Sequence, residues 1–304
     1  MTFGIIKKRV WILFFLALIL STVNSCSHSK VEIVTVKGSD TEVNLVQELA
    51  ERFMENDPDI SLTITGGGSG YGIASLINQK TDIANSSRPL NAKEKQLIEK
   101  QGIQVYPIIF AQDAIAVVVH PNTKITELSL EEVGKIFRGE IKNWKELGGA
   151  DVLVSLYGRQ SNSGTFVYFR ERILKGEYDS SVKQMNGTAQ LIEAVKQDSG
   201  GIGYVGIGYL INKKDEVSNT ITAVKLREGE KEAVSPLNKE AIIEGRYPII
   251  RPLFQFLNGK PQGKALEFLR YELSEEGQKI VAQNGYFEIN QQQREQNNRL
   301  GLGF

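Results

Sequence analysis

The chain is expected to be an α/β protein of two lobes joined by two crossings. Three observations carry this. From residue 31 onward, runs rich in β-branched residues alternate with segments whose apolar residues recur at helical spacing. Two apolar stretches, 105–120 and 247–257, have the character of long connecting strands. Between those connectors lies a second α/β stretch of its own.

The elements follow in order. Residues 31–37 form the first expected strand. Val43, Val46, Leu49, Ala50 and Phe53 then mark a helix, which Asp57-Pro58-Asp59 stops. A strand at 60–65, a short helix at 73–78, a short buried strand at 82–85 and a polar-faced helix at 93–101 complete the first stretch. This order implies a mainly parallel sheet. The second stretch offers a helix at 130–137, a strand at 152–157, helices at 165–174 and 188–196, and a strand at 202–205. Residues 218–235 are polar and expected as a surface excursion. After the second connector, Ala265, Leu266, Phe268, Leu269, Leu273, Ile280 and Val281 line one amphipathic helix over 263–284. The simplest division is a first lobe of 31–112 plus 253–304 and a second lobe of 113–252, both of ordinary domain size.

Composition excludes several function classes. Thirty-six basic and 36 acidic residues balance, which argues against nucleic acid as a partner. One Cys excludes a disulfide scaffold or a Cys-rich zinc site, and two His leave little for a metal cluster or His-based catalysis. No metal, cofactor or enzymatic activity is expected. Gly201-Ile202-Gly203-Tyr204-Val205-Gly206 fits a dinucleotide pattern, but no helix opens after it as that pattern requires.

The N-terminus has the character of an address. Lys7, Lys8 and Arg9 precede the apolar run 10–20, then small and polar residues lead to Cys26. Eleven apolar residues are about half of a membrane span. Val23-Asn24-Ser25-Cys26 resembles a lipobox. The expectation is a lipoprotein signal peptide at 1–25, lipidation of Cys26, a tether at 26–30 and an exported protein held at a membrane by its lipid.

Glycine and hydroxyl residues concentrate in three loops: Gly38-Ser39-Asp40-Thr41, Gly66-Gly67-Gly68-Ser69-Gly70 and Ser161-Asn162-Ser163-Gly164-Thr165. Each follows an expected strand and opens an expected helix. The first N–H groups of a helix lack internal partners and carry partial positive charge. Glycine lets a ligand approach the backbone, and hydroxyls add adjustable donors. Such loops suit a small oxyanion. Taken singly, each is as well explained as an N-cap; taken together, the three converge on one crevice. Arg159, four residues before Ser163, and Arg88, in Ser86-Ser87-Arg88-Pro89, are the candidate cations. Tyr71, Tyr157 and Phe166 border the loops and are expected mainly to pack.

With these loops, the stretches 81–89, 136–144, 159–165 and 201–205 and Arg251-Pro252-Leu253, the chain resembles the PstS family, phosphate-binding lipoproteins of ABC-type phosphate importers. The resemblance covers nearly all of 31–290. It implies a two-lobed periplasmic-binding-protein fold of type II, with two hinge strands and a ligand cleft between lobes. It implies a monomeric receptor that binds inorganic phosphate and delivers it to ABC permease subunits. By position it assigns Ser39, Asp40 and Thr41 to a first phosphate loop, Ser69 and Gly70 to a second, and Ser87 and Arg88 to a third edge. Arg159, Ser163, Gly164 and Thr165 come from the opposite lobe. Some members of the family place a carboxylate where this chain has Arg88. Its role of accepting the proton of phosphate then falls to Asp40, with Asp82 expected to brace a turn. Trp144, in the family landmark Lys142-Asn143-Trp144, is expected in the core. Rival expectations are a receptor for sulfate or molybdate, a phosphate-ester hydrolase, and a surface lipoprotein acting by protein contact.

Overall fold

The computed structural model describes residues 31–210 and 220–303. The expected signal peptide, Cys26 and the tether lie outside the described residues. Eleven strands occur among the described residues: β1 (Glu32–Gly38), β2 (Ile60–Thr65), β3 (Ile83–Ser86), β4 (Val105–Val119), β5 (Glu127–Ser129), β6 (Ser155–Arg159), β7 (Lys183–Met185), β8 (Gly201–Gly206), β9 (Thr222–Ala223), β10 (Lys225–Arg227) and β11 (Ile250–Asn258). Nine share one sheet in the order β2-β1-β3-β11-β4-β8-β6-β7, with β9 paired to β4; β5 and β10 form a separate parallel pair.

The sheet is mixed rather than mainly parallel. β1 runs parallel to β2 and β3, and β6 parallel to β7 and β8. The crossings β4 and β11, however, are antiparallel to each other and to their outer neighbours β8 and β3. A chain that crosses between halves and returns brings its two crossings side by side in opposite directions, which the strand–helix alternation did not encode. β4 is long because both of its ends are wanted inside. Ile108–Ala111 pack in one hydrophobic cluster with residues of β1, β2, β3 and β11, and Ala114–Val119 in a second cluster with β8 and the helix Leu130–Phe137.

The helices Val43–Asn56, Ala92–Lys100, Leu130–Phe137 and Thr188–Gln197 lie where apolar spacing predicts them, within a few residues. Capping boxes fix two starts: Asn91 with Glu94, and Ser129 with Glu132. Four expectations change. The helix expected at 73–78 begins at Ser69, because Gly67 and Gly68 take φ of 125° and 92° and turn the chain ahead of it. The strand expected at 152–157 runs from Ser155 to Arg159. The helix expected at 165–174 is α-helical over Gly164–Phe169 and continues as a π-turn over Arg170–Leu174. The long C-terminal helix is two helices, Gly263–Leu273 and Glu275–Gln283. Ser274 leaves helical geometry (ψ 166°) and its side chain caps Gly277 N–H of the second. The described part of 218–235 is not all surface, for Val224 and Leu226 are fully buried around β10. Trp144 is fully buried and its indole N–H donates to Gly200 O at 3.0 Å. Among the described residues no helix is long and apolar enough to cross a membrane.

Candidate functional site

The three glycine–hydroxyl loops meet at the crossing strands. β1 ends at Gly38 and delivers Ser39, Asp40 and Thr41; β2 ends at Thr65 and delivers Ser69 at the start of its helix; β6 ends at Arg159 and delivers Ser163, which N-caps the helix Gly164–Phe169. Ser39, Thr41, Ser69, Ser87, Ser163 and Thr165 are each at most 2% exposed.

Four of their hydroxyls meet in two pairs. Thr41 Oγ1 and Thr165 Oγ1, from loops 124 residues apart, lie 2.9 Å from each other. Ser69 Oγ accepts from Ser87 N–H at 3.1 Å and lies 3.4 Å from Ser87 Oγ. Gly164 sits directly over that pair, where a methyl group would collide with both serine hydroxyls. The backbone N–H groups of Gly164 and Thr165, in the first turn of their helix, have no partner within it.

The cation at this cluster is Arg251 of β11, 1% exposed. Its Nη2 donates to Thr165 Oγ1 (3.1 Å), Thr41 Oγ1 (3.3 Å) and Asp113 Oδ2 (2.8 Å), and Nη1 donates to Ser87 O (3.1 Å). Asp113 is its direct register partner on β4 and also accepts from Ile207 N–H at 3.1 Å. Burial pushes the Asp113 carboxyl up, while the charge and hydrogen bonds of Arg251 and the Ile207 N–H hold it down. Gly206 permits this packing, because a side chain there would meet Asp113 and Thr41.

A second set of bonds spans the two halves. Asp40 accepts from Gly67 N–H at 2.8 Å and from Arg159 Nη2 at 2.5 Å, and its carbonyl accepts from Tyr209 OH at 2.6 Å. Gly70 N–H donates to Asn162 O, and Asn162 Nδ2 donates to Gly67 O, both at 2.9 Å. The glycines at 68 and 70 ease that approach, since a Cβ at either would stand only 3.0 or 3.1 Å from Asn162 O.

The structure therefore brings Thr41, Ser69, Ser87, Ser163, Gly164 and Thr165 together, with Ser39, Asp40, Gly70 and Arg159 at the margin. Arg159 is 1% exposed, and its guanidinium is held by Asp40, Thr188 Oγ1 and the carbonyls of Met185 and Asn186. Arg88 is not brought in: its guanidinium makes a two-pronged pair with Glu94 at 2.7 and 2.8 Å and donates to Pro89 O. Asp82 braces Thr35, accepting from its N–H and hydroxyl. Sequence reasoning missed Arg251, Asp113, Asn162 and Tyr209. The signal for the first two was present: each long apolar connector carries one charge near its middle, and the two are opposite in sign.

Among the described residues no group of three or more His, Cys, Asp or Glu could hold a metal ion. The arrangement offers hydroxyls, helix N-terminal N–H groups and a balanced guanidinium, a set suited to holding an oxyanion.

Comparison with known proteins agrees in kind. The description "PBP superfamily domain" matches residues 25–276. The phosphate-binding protein PstS of Pseudomonas aeruginosa is 32% identical over 271 residues, 83% of this chain and 81% of that protein. The phosphate-binding protein PstS of Bacillus subtilis is 32% identical over 257 residues, 84% of this chain and 80% of that protein. A crystal structure from Clostridium perfringens, described as a phosphate ABC transporter substrate-binding protein with bound phosphate, superposes with a TM-score of 0.76 at 27% identity. That match covers 85% of this chain and 100% of the other.

Proposed function

We infer the function of this chain from the fact that it belongs to the PstS family of phosphate-binding proteins, within the PBP superfamily. It is a substrate receptor of the type II periplasmic-binding fold, not an enzyme, and it binds inorganic phosphate for an ABC transporter. One observation carries the reading at the level of residues: hydroxyls from opposite halves, Thr41 and Thr165, share one buried guanidinium, that of Arg251. An anion that replaces the direct Thr41–Thr165 contact would receive both hydroxyls, the N–H groups of the Gly164–Phe169 helix, Ser69 and Ser87, with Arg251 behind them.

The same reading divides the chain into lobes of 31–112 plus 253–304 and 113–252. The two hydrophobic clusters support it, one drawing on 34–111 and 253–302 and the other on 114–250 with Phe287. Ser39, Asp40, Gly70 and Arg159 close the margin of the site, and Arg88 acts from outside by bracing the turn that carries Ser87. Asp40 takes the proton-accepting role. Its carboxylate spends two of about four lone-pair directions on Gly67 and Arg159, which leaves acceptor capacity. That acceptor repels sulfate, which has no proton to give. The receptor acts as an exported monomer, held at a membrane face by lipid on Cys26, and hands phosphate to permease subunits.

Calorimetric titration of the ligand-stripped protein with phosphate and then sulfate, at one ionic strength, tests this. Tight phosphate binding without sulfate heat is expected. Equal heats would make the site a general oxyanion cleft, and no heat from either would favour a lipoprotein acting by protein contact.

A further inference from the structure

From Ser39 of the first phosphate loop inward lies a group of buried polar atoms, two glutamates among them, to which the binding reading gives no role. Seven buried side-chain polar atoms lack a hydrogen-bond partner among the described residues; six are oxygens, of Ser39, Glu42 (both), Asn85, Gln255 and Glu272. The five residues are at most 2% exposed, and four of them, all but Glu42, form a linked series. Ser39 N–H donates to Asn85 O at 3.0 Å. Asn85 and Gln255 are register partners across β3 and β11. Gln255 Nε2 donates to Glu272 Oε1 at 3.1 Å.

Two ionised carboxyls here would add only acceptors to a group already short of donors. A carboxylate supplies no donor, whereas a carboxylic acid supplies one O–H. Asn85 Oδ1 and Gln255 Oε1 each lack a donor, and a proton on a glutamate is the donor this group could add. The groups facing Glu42 cannot replace those protons. Arg251 on β11 is already paired with Asp113 on β4. Glu272, from the helix Gly263–Leu273, adds negative charge, Ser39 offers one hydroxyl, and Tyr286 donates its own to Thr41 O. Burial is the chief cause raising both carboxyls well above the ordinary 4.5, partly offset at Glu42 by Ser39 and Arg251.

We propose that Glu42 and Glu272 are held as neutral carboxylic acids, and that release of the Glu42 proton to solvent weakens anion binding at the adjoining Thr41 loop. The second half rests on the phosphate-receptor reading. Glu42 directly follows Thr41, so its ionisation places a negative charge beneath the site.

The sign follows from linkage. Above about pH 4.5 the unfolded chain releases these protons and the native chain keeps them. Stability therefore falls as pH rises, until the native groups let go, by about tenfold in the folding equilibrium per pH unit for each proton kept. Denaturation of the wild type, Glu42→Gln and Glu272→Gln between pH 5 and 9, with phosphate titrations over the same range, tests the proposal. Each variant is expected to lose one proton's worth of slope and to gain stability at pH 8. Toward the alkaline end of that range the wild-type Kd should weaken beyond what the titration of phosphate explains, and Glu42→Gln should not follow. Unchanged slopes would overturn the proposal, as would a stoichiometric metal ion found by elemental analysis whose chelation removes the effect. If a variant misfolds, carbon NMR titration of the wild-type glutamate carboxyls decides the same point. Failure of phosphate to bind at any pH would sink the receptor reading and leave the denaturation slopes to judge the carboxyls.

Discussion

Two arginine–aspartate pairs frame the site, and they differ in kind. Arg251 and Asp113 are 1% and 0% exposed at their side chains and sit opposite each other on the two crossing strands. Arg159 and Asp40 come from opposite halves, and the Asp40 side chain keeps 15% exposure. The first pair is secured by strand register and exists whenever the sheet exists. The second exists only when the halves are together. One is part of the framework; the other is part of closure.

Substitutions can break this distinction. The largest effect is expected from Asp113→Ala, which leaves Arg251 buried without its partner and should cost about 3–5 kcal/mol of stability in denaturant unfolding. Next is Gly164→Ala. The added methyl meets the hydroxyls of Ser69 and Ser87, an overpacking cost of about 1–3 kcal/mol. It should appear as a roughly ten- to hundredfold weaker phosphate Kd, with the unfolding midpoint of the free protein moving less. Asp40→Asn takes the charge from the closure pair and should weaken phosphate by about 1–2 kcal/mol while narrowing the gap to sulfate. Its unfolding midpoint should stay near the wild type; a loss as large as that of Asp113→Ala would erase the distinction. Asn162→Ala removes one bond across the halves, to Gly67 O, and should raise Kd by about 0.5–1.5 kcal/mol, mainly through a faster off-rate in stopped flow.

The sequence made the loops legible because their signal is local. A strand, a glycine–hydroxyl run and a helix start occupy a dozen residues, and Ser163 caps its helix as that pattern predicts. The family resemblance is borne out by relatives and fold, and with it the reading of the chain as a phosphate receptor. Arg251 carries no such local signal, since its importance depends on the register that sets it against Asp113, 138 residues away. Arg88 looked like a ligand because it follows two serines, but Glu94, placed by its capping box with Asn91, draws the guanidinium aside. The C-terminal helix break was visible in Ser274-Glu275-Glu276, a capping sequence that apolar periodicity overrode.

β4 contributes to both hydrophobic clusters without interruption, and it is 15 residues long, about 50 Å of continuous strand. Halves joined through such a strand do not swing on a pin. They would turn against each other as the ends of a torsion bar, with β11 as its second rod. The β4–β11 ladder slips register between Leu253 and Phe254, the one irregularity along the paired rods. A bar resists in proportion to its twist and returns when released. Closure on an anion would then load the two strands in twist, and its release would let them unwind.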